Sequence, residues 1–151
     1  MPDSSAKAPS LYETDFYAWA NEQAALLRAG RLDAADIANI AEEIESMGRS
    51  EKRELVRRLA ILLMHLLKWR FQPALRGNSW RLTFEGQRND IIDHLNDNPS
   101  LKSKLDETMA SAYRRARLEA AKATGLAVTA FPSTCPWGYE AIIDDAFWPE
   151  T

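Results

Sequence analysis

Two adjacent apolar stripes run through the segment from Ser50 to Phe71, and no other feature of the chain constrains its fold as strongly. Residues spaced by three and four lie on one face of a helix, so a helix with two neighbouring apolar stripes must be covered on both. The segment is therefore predicted to be the innermost helix of an all-α fold. The stripes are Leu55, Leu59, Leu62, Leu66 and Trp69, and Val56, Ala60, Leu63, Leu67 and Phe71.

The same spacing elsewhere predicts a single helical bundle of four long helices and a short C-terminal helix. The first helix is expected to turn one face toward the core, with Phe16, Trp19, Gln23 and either Leu26 or Leu27. The second is predicted either to continue through Gly48 or to be kinked or split there, because Gly costs about 1 kcal/mol relative to Ala inside a helix. The predicted ranges are 15–29, 33 or 36 to 71, 79–96, 99–124 and 136–147.

The chain has 151 residues, a length typical of one domain, which we expect to cover residues 11–149 after a flexible N-terminal segment, 1–10. Its first ten residues are small and polar and lack the apolar region of a secretory signal. The longest nearly apolar stretch, Leu59–Leu67, is about half the ~20 residues that a membrane helix needs. The sequence therefore predicts a cytoplasmic protein without a membrane span.

Common catalytic and cofactor-binding patterns are absent from the sequence. It contains no G-x-G-x-x-G, no phosphate-binding loop and no G-x-S-x-G. Its two histidines are too few for a three-histidine zinc site, and neither belongs to a Glu-x-x-His pair. We therefore expect no cofactor and no bound metal, and we interpret the chain as a noncatalytic interaction module for an unidentified protein partner. The sequence leaves its oligomeric state open.

Charge is distributed unevenly along the chain, and this suggests a second function. Residues 49–88 carry 10 basic and 3 acidic side chains, whereas 1–48 carry 3 and 9, and 89–151 carry 6 and 10. In the basic block, cations alternate with aromatic rings, a combination that holds single-stranded nucleic acid. The structural alternative is that the rings pack in the core and the cations neutralise acidic side chains on neighbouring helices. The candidate nucleic-acid contacts are Lys68, Arg70, Arg76, Trp80 and Arg81.

The histidines can be interpreted in two ways. His65 interrupts the most apolar stretch, so its ring is expected to be buried and matched by a polar group of another helix, with Glu42, Glu43 and Glu45 as candidates. A metal-binding or acid–base enzyme centred on His65 is a third functional hypothesis. His94 is expected to be solvated within an acidic rim.

Several motifs together resemble the bacterial domain of unknown function family twenty-nine over residues 11–149. They include Asp15–Gln23, Ile40–Ser50, His65–Trp69, Asn98–Leu101 and Cys135-Pro136. The resemblance implies an all-helical protein and supplies no activity, substrate or catalytic residue. Polar residues, most of them within these motifs, form the candidate polar cluster: Glu42, Glu45, Arg49, Arg53, Arg58, His65, Lys68, Gln72 and Arg88.

Overall fold

The computed structural model describes residues 10–150, and every regular element in that range is a helix. The predicted all-α class, with four long helices, is confirmed. The chain divides into two compact units, the first ending at Arg49 and the second beginning at Ser50. The single domain over residues 11–149 stays a prediction. The predicted flexible segment 1–10 lies, except for Ser10, outside the described residues.

The first unit contains helices α1 (Leu11–Thr14) and α2 (Phe16–Arg28) and the beginning of α3 (Ile37–Phe71). Asp15 caps α2, since its side chain accepts a hydrogen bond from the Ala18 N–H at 3.0 Å. Gly30 follows the end of α2 with φ +71°, the left-handed conformation expected at a helix stop.

Helix α3 runs for 35 residues without a break at Gly48, so the continuous alternative is the observed one. Helix-forming residues flank this glycine on both sides and outweigh its cost. Both predicted stripes are largely buried beyond Ser50, and six leucines of α3 have no exposed surface at all: Leu55, Leu59, Leu62, Leu63, Leu66 and Leu67.

The second unit continues with α4 (Asn78–Asp97), α5 (Leu105–Thr124) and α6 (Tyr139–Ile143). Two predicted boundaries are wrong. The segment Pro99–Lys104, predicted to open a long helix, forms a 3₁₀ helix before α5, and the last helix is five residues long instead of spanning 136–147. The end of α5 is as predicted, with Gly125 at φ +74°. The core of this unit joins the leucines of α3 to Phe84, Ile91, Ala112, Phe131 and Ile142.

The first unit buries far fewer side chains than the second unit does. Of its described residues only Trp19 and Gln23 are buried. The predicted core position of Phe16 is wrong, because half of its surface is exposed. Among the helices in residues 10–150, none combines the length and the apolar character required to cross a bilayer.

Candidate functional site

Three aromatic rings of the second unit pack together, and arginines cover them. The Trp69 ring lies 5.5 Å from Phe84 and 4.9 Å from Trp148, measured between centroids. The guanidinium carbons of Arg76 and Arg81 lie 5.0 and 5.5 Å from the centre of the Trp69 ring. These distances are within cation–π range. We call this group, with Arg88, the cation–aromatic cluster.

Arg88 is the buried arginine of the cluster, with 2% of its surface exposed. It donates hydrogen bonds to two main-chain carbonyls, that of Ile142 at 2.7 Å and that of Phe147 at 2.9 Å. Burial lowers the pKa of its guanidinium from the ordinary value. Arg88 thus joins α4 to the chain around and after α6, a structural role for a residue that the sequence assigned to the polar cluster.

The outer cations are less enclosed. Lys68 lies 4.9 Å above the Trp80 ring and Arg70 lies 5.1 Å from the Phe71 ring. Arg76 donates from Nε to the Trp69 carbonyl at 2.6 Å, while its buried Nη2 has no hydrogen-bond partner among the described residues. Over residues 10–150 no carboxylate oxygen lies within 4.0 Å of the side-chain nitrogens of four cations, namely Lys68, Arg70, Arg76 and Arg81.

The aromatic rings differ in their access to a ligand. Trp69 is 6% exposed, so its faces are covered and cannot stack on a base. Trp80 is half-buried, and Trp148, from the C-terminal segment, is 36% exposed. Trp148 was not among the sequence-predicted contacts, because no spacing rule connects it to residues almost 70 positions earlier. An isolated tryptophan near the chain end is the only signal it offers.

His65 is half-buried, and Nδ1 lies 2.9 Å from the carbonyl oxygen of Ile61, one turn earlier on α3. The prediction that another helix supplies its partner is therefore wrong. Glu42 instead accepts a hydrogen bond from Arg49, and Glu43 accepts one from Tyr12. Burial lowers the pKa of His65, with a smaller contribution from nearby Lys68. Burial and the charge of Lys68 thus disfavour the protonated form of the ring.

The candidate polar cluster is distributed over separate contacts. In the first unit, Arg49 pairs with Glu42 at 2.9 Å and with Glu45 at 3.8 Å, on an exposed face of α3. In the second unit, Arg58 pairs with Glu54 and with Asp90, each at 2.9 Å. Arg53 is exposed, and Gln72 is half-buried just after α3. Over the described range no hydrogen bond or ion pair joins the side chains of His65, Lys68, Gln72 and Arg88 to one another.

His94 is packed rather than solvated, which corrects the prediction. Its side chain is 11% exposed, and Nε2 lies 2.8 Å from the Glu51 carbonyl oxygen. Within residues 10–150, no three His, Cys, Asp or Glu side chains are arranged to hold a metal ion.

A cleft of about 680 Å³ lies between the first half of α5 and the segment before α6. Its lining includes Tyr113, whose hydroxyl donates to the Pro132 carbonyl at 2.6 Å, and the half-buried Cys135. Burial raises the pKa of the Cys135 thiol, so the group is not prepared to act as a nucleophile.

The first unit exposes large hydrophobic side chains on both of its longer helical segments. On α3, Ile37, Ile44 and Met47 are 51%, 63% and 67% exposed, and on α2 Tyr17 is 81% exposed. We define the first-unit surface by its eight exposed members: Leu11, Phe16, Tyr17, Leu27, Leu32, Ile37, Ile44 and Met47.

Polar contacts connect α2 to the residues at the beginning of α3 in the first unit. The Trp19 indole donates to the Asp36 carboxylate at 3.1 Å, and the Gln23 side chain accepts a hydrogen bond from the Asp36 N–H at 2.7 Å. Hydrogen bonds from Asn39 and Trp19 lower the pKa of Asp36. The bond to Glu43 raises the pKa of Tyr12 to about 12. Asp36 and Glu43 thus anchor the segments that carry the exposed apolar side chains.

Comparison with known proteins gives one match. The model of the family described as Domain of unknown function DUF29 matches residues 11–148. No curated protein and no solved structure matches the chain.

Proposed function

The chain belongs to the family described as Domain of unknown function DUF29, and from this premise we propose that it is a noncatalytic interaction module that binds a protein partner in the cytoplasm. The family description names no activity, so the proposal rests on the residues of this chain. The observation that carries it is the first-unit surface: among residues 10–49, eight large hydrophobic side chains are exposed, while Trp19 and Gln23 alone are buried.

Exposing this many apolar side chains to water is unfavourable in free energy, and binding of a partner would bury them. Burying apolar surface releases roughly 25 cal/mol per Å², and large exposed apolar patches on monomers mark interaction sites. Single exposed hydrophobic residues are common on any protein and carry no such meaning. Here the exposed side chains fall close together in sequence within one compact unit, and six of the eight lie on α2 or on the beginning of α3.

The test is affinity capture from native cell extract with the full chain and with the double variant Ile44→Glu/Met47→Glu. We expect a partner recovered in stoichiometric amount by the wild type and lost with the variant, because the new carboxylates prevent burial of this face. Leu118→Glu is the matched control, since Leu118 is 62% exposed on α5 and lies outside the first-unit surface. Recovery of the same proteins by the double variant would refute the proposal.

A second candidate function, nucleic-acid binding, is supported by Lys68, Arg70, Arg76 and Arg81, which have no carboxylate partner within residues 10–150. Arg81 is exposed and Arg70 is half-buried, so both can meet phosphates. Trp80 and Trp148 are the rings with enough access to contact a base, and stacking contributes roughly 1–3 kcal/mol per base. The overall pI near 5.5 argues against a dedicated nucleic-acid binder, which places this function second.

Titration of a fluorescent single-stranded oligonucleotide tests this candidate. Binding through phosphates predicts an affinity that falls steeply as salt rises, and a loss of about tenfold or more in Arg70→Glu/Arg81→Glu. Arg114→Glu/Arg115→Glu makes the same change of charge on two exposed residues of α5 and serves as the control. Equal affinity of the two double variants would exclude this face as the binding site.

A further inference from the structure

We propose that the occupant of the first-unit surface is a basic amphipathic helix of the protein partner. This inference rests on the proposed interaction function and specifies the chemistry of the partner. It follows from the arrangement of apolar residues on α3 and from the charge of the first unit.

The apolar residues on α3 form a straight stripe. Ile37, Ala41 and Ile44 are exposed and stand at positions i, i+4 and i+7, which lie on one face of a helix. Met47 adjoins this face, 67% exposed. A helix laid along such a face contacts it through its own i, i+3, i+4 and i+7 positions.

Gly48 extends the stripe at position i+11 and has no packing role in the described structure. Apart from the neighbouring backbone of α3 itself, no atom of the described residues lies within 4 Å of where a Cβ would stand. Because nothing in the described residues packs against Gly48, another backbone can approach the helix closely at this point.

Charge decides which helix would fit. Residues 10–49 carry eight acidic side chains and three basic ones, Arg28, Arg31 and Arg49. Two of these cations already pair within the unit, Arg31 with Asp33 at 3.1 Å and Arg49 with Glu42 at 2.9 Å. The surroundings of the stripe are therefore acidic, which favours a partner rich in Lys and Arg. A second copy would bring the same acidic surface against itself, and like charges in contact are unfavourable.

The experiment titrates the full chain with labelled synthetic helices of about 18 residues, roughly five turns. One peptide combines Leu at helical spacing with Lys, and the other replaces each Lys by Glu. We expect the Leu–Lys peptide to bind at least about tenfold more tightly than the Leu–Glu peptide, with an affinity that falls as salt rises. Equal binding of the two peptides would overturn the proposal.

Variants locate the site. Ile44→Glu/Met47→Glu is expected to weaken binding of the Leu–Lys peptide by about tenfold or more through loss of apolar contact. Its control, Leu118→Glu, adds one exposed acidic charge elsewhere and should bind as the wild type does. Glu42→Gln/Glu45→Gln keeps the apolar stripe and should reduce both the affinity and its dependence on salt. Unchanged binding in both double variants would overturn the proposal.

The outcomes separate this inference from the function on which it rests. If neither peptide binds but capture recovers a partner that depends on Ile44 and Met47, the helix is the wrong occupant and the interaction module stands. If light scattering shows a dimer that Ile44→Glu/Met47→Glu dissociates, the occupant is a second copy and the inference fails. If peptide binding and capture both fail, the proposed function fails with it.

Discussion

Arg88 donates from Nε to the main-chain carbonyl of Ile142 at 2.7 Å, across 54 positions of sequence. A second bond, to the Phe147 carbonyl at 2.9 Å, completes the contact. These bonds satisfy two carbonyl groups of the C-terminal segment, and they place the guanidinium against Phe84 and Trp148. The position of Trp148 in the cation–aromatic cluster thus depends on a side chain of α4.

We predict that Arg88→Lys lowers the free energy of unfolding by about 2–4 kcal/mol. Lysine keeps the charge but lacks the planar fork that reaches both carbonyls, so at least one buried acceptor loses its donor. Urea denaturation measures the change. Arg81→Lys, at an exposed position, is expected to stay within about 0.5 kcal/mol of the wild type. Equal stability of the two variants would contradict the role assigned to Arg88.

His65 makes stability depend on pH. Burial lowers its pKa below the ordinary value of 6.5, so between the folded pKa and 6.5 the unfolded chain binds more protons than the folded one. This contribution to stability is fully present above pH 6.5, and it is lost as the pH falls through the pKa that His65 has in the folded protein.

The expected result is that His65→Gln loses less stability than the wild type between about pH 7.5 and about pH 5. Urea denaturation at the two pH values provides the comparison. Because other groups titrate in both proteins, the difference between the two proteins is the informative quantity. Identical pH dependence would show that His65 is not desolvated.

Gly48→Ala is expected to raise the free energy of unfolding by roughly 0.5–1 kcal/mol. Alanine favours the helix, and outside the neighbouring backbone of α3 its Cβ would meet no atom of residues 10–150 within 4 Å. Gly125→Ala is the contrasting variant. Gly125 has a φ of +74°, which is unfavourable for alanine, so the free energy of unfolding should fall by about 1 kcal/mol. Thermal or urea denaturation measures whether Gly48→Ala is stabilised and Gly125→Ala destabilised. A destabilised Gly48→Ala protein would argue against a continuous α3.

The single thiol reports on the cleft beside α5. Burial raises the pKa of Cys135, so little thiolate forms near neutral pH. We predict that iodoacetamide alkylates Cys135 at least about tenfold more slowly in the folded protein than in urea. Since the chain has one cysteine, mass spectrometry follows the reaction without ambiguity. Equally fast alkylation in both states would mean that the thiol is freely exposed.

Helix positions were predictable because periodicity is a local property. The two stripes of α3 identify its burial beyond Ser50 without any knowledge of its neighbours, and Gly30 and Gly125 mark helix ends through their own backbone preference. Boundaries set by packing were not predictable. Pro99–Lys104 contains a proline at the right place to open a long helix, yet the chain adopts a 3₁₀ helix there before α5 begins.

The candidate sites were less predictable than the helices. Cation–aromatic alternation in the sequence drew attention to the segment from Lys68 to Arg81, whose cations lie over aromatic rings, and its role as a binding site stays a prediction. The burial of Trp69 and its contact with Trp148 could be seen only in the folded chain. For His65 the sequence indicated enclosure, while the partner turned out to be the carbonyl of Ile61 on the same helix. The exposed residues Ile37, Ala41 and Ile44 follow the same three-and-four spacing as the buried stripes of α3, so spacing alone does not distinguish the two parts of the helix.

The sequence by itself determined the helical class, the continuous core face of α3 beyond Ser50 and the basic character of residues 49–88, since these follow from residue type and spacing along one element. Tertiary structure alone decided that Arg88 is buried against two carbonyls, that His94 is packed against Glu51, and that Ile44 and Met47 remain exposed. The reason is physical: periodicity shows which residues share a face, whereas burial and polar pairing depend on what another segment places against that face.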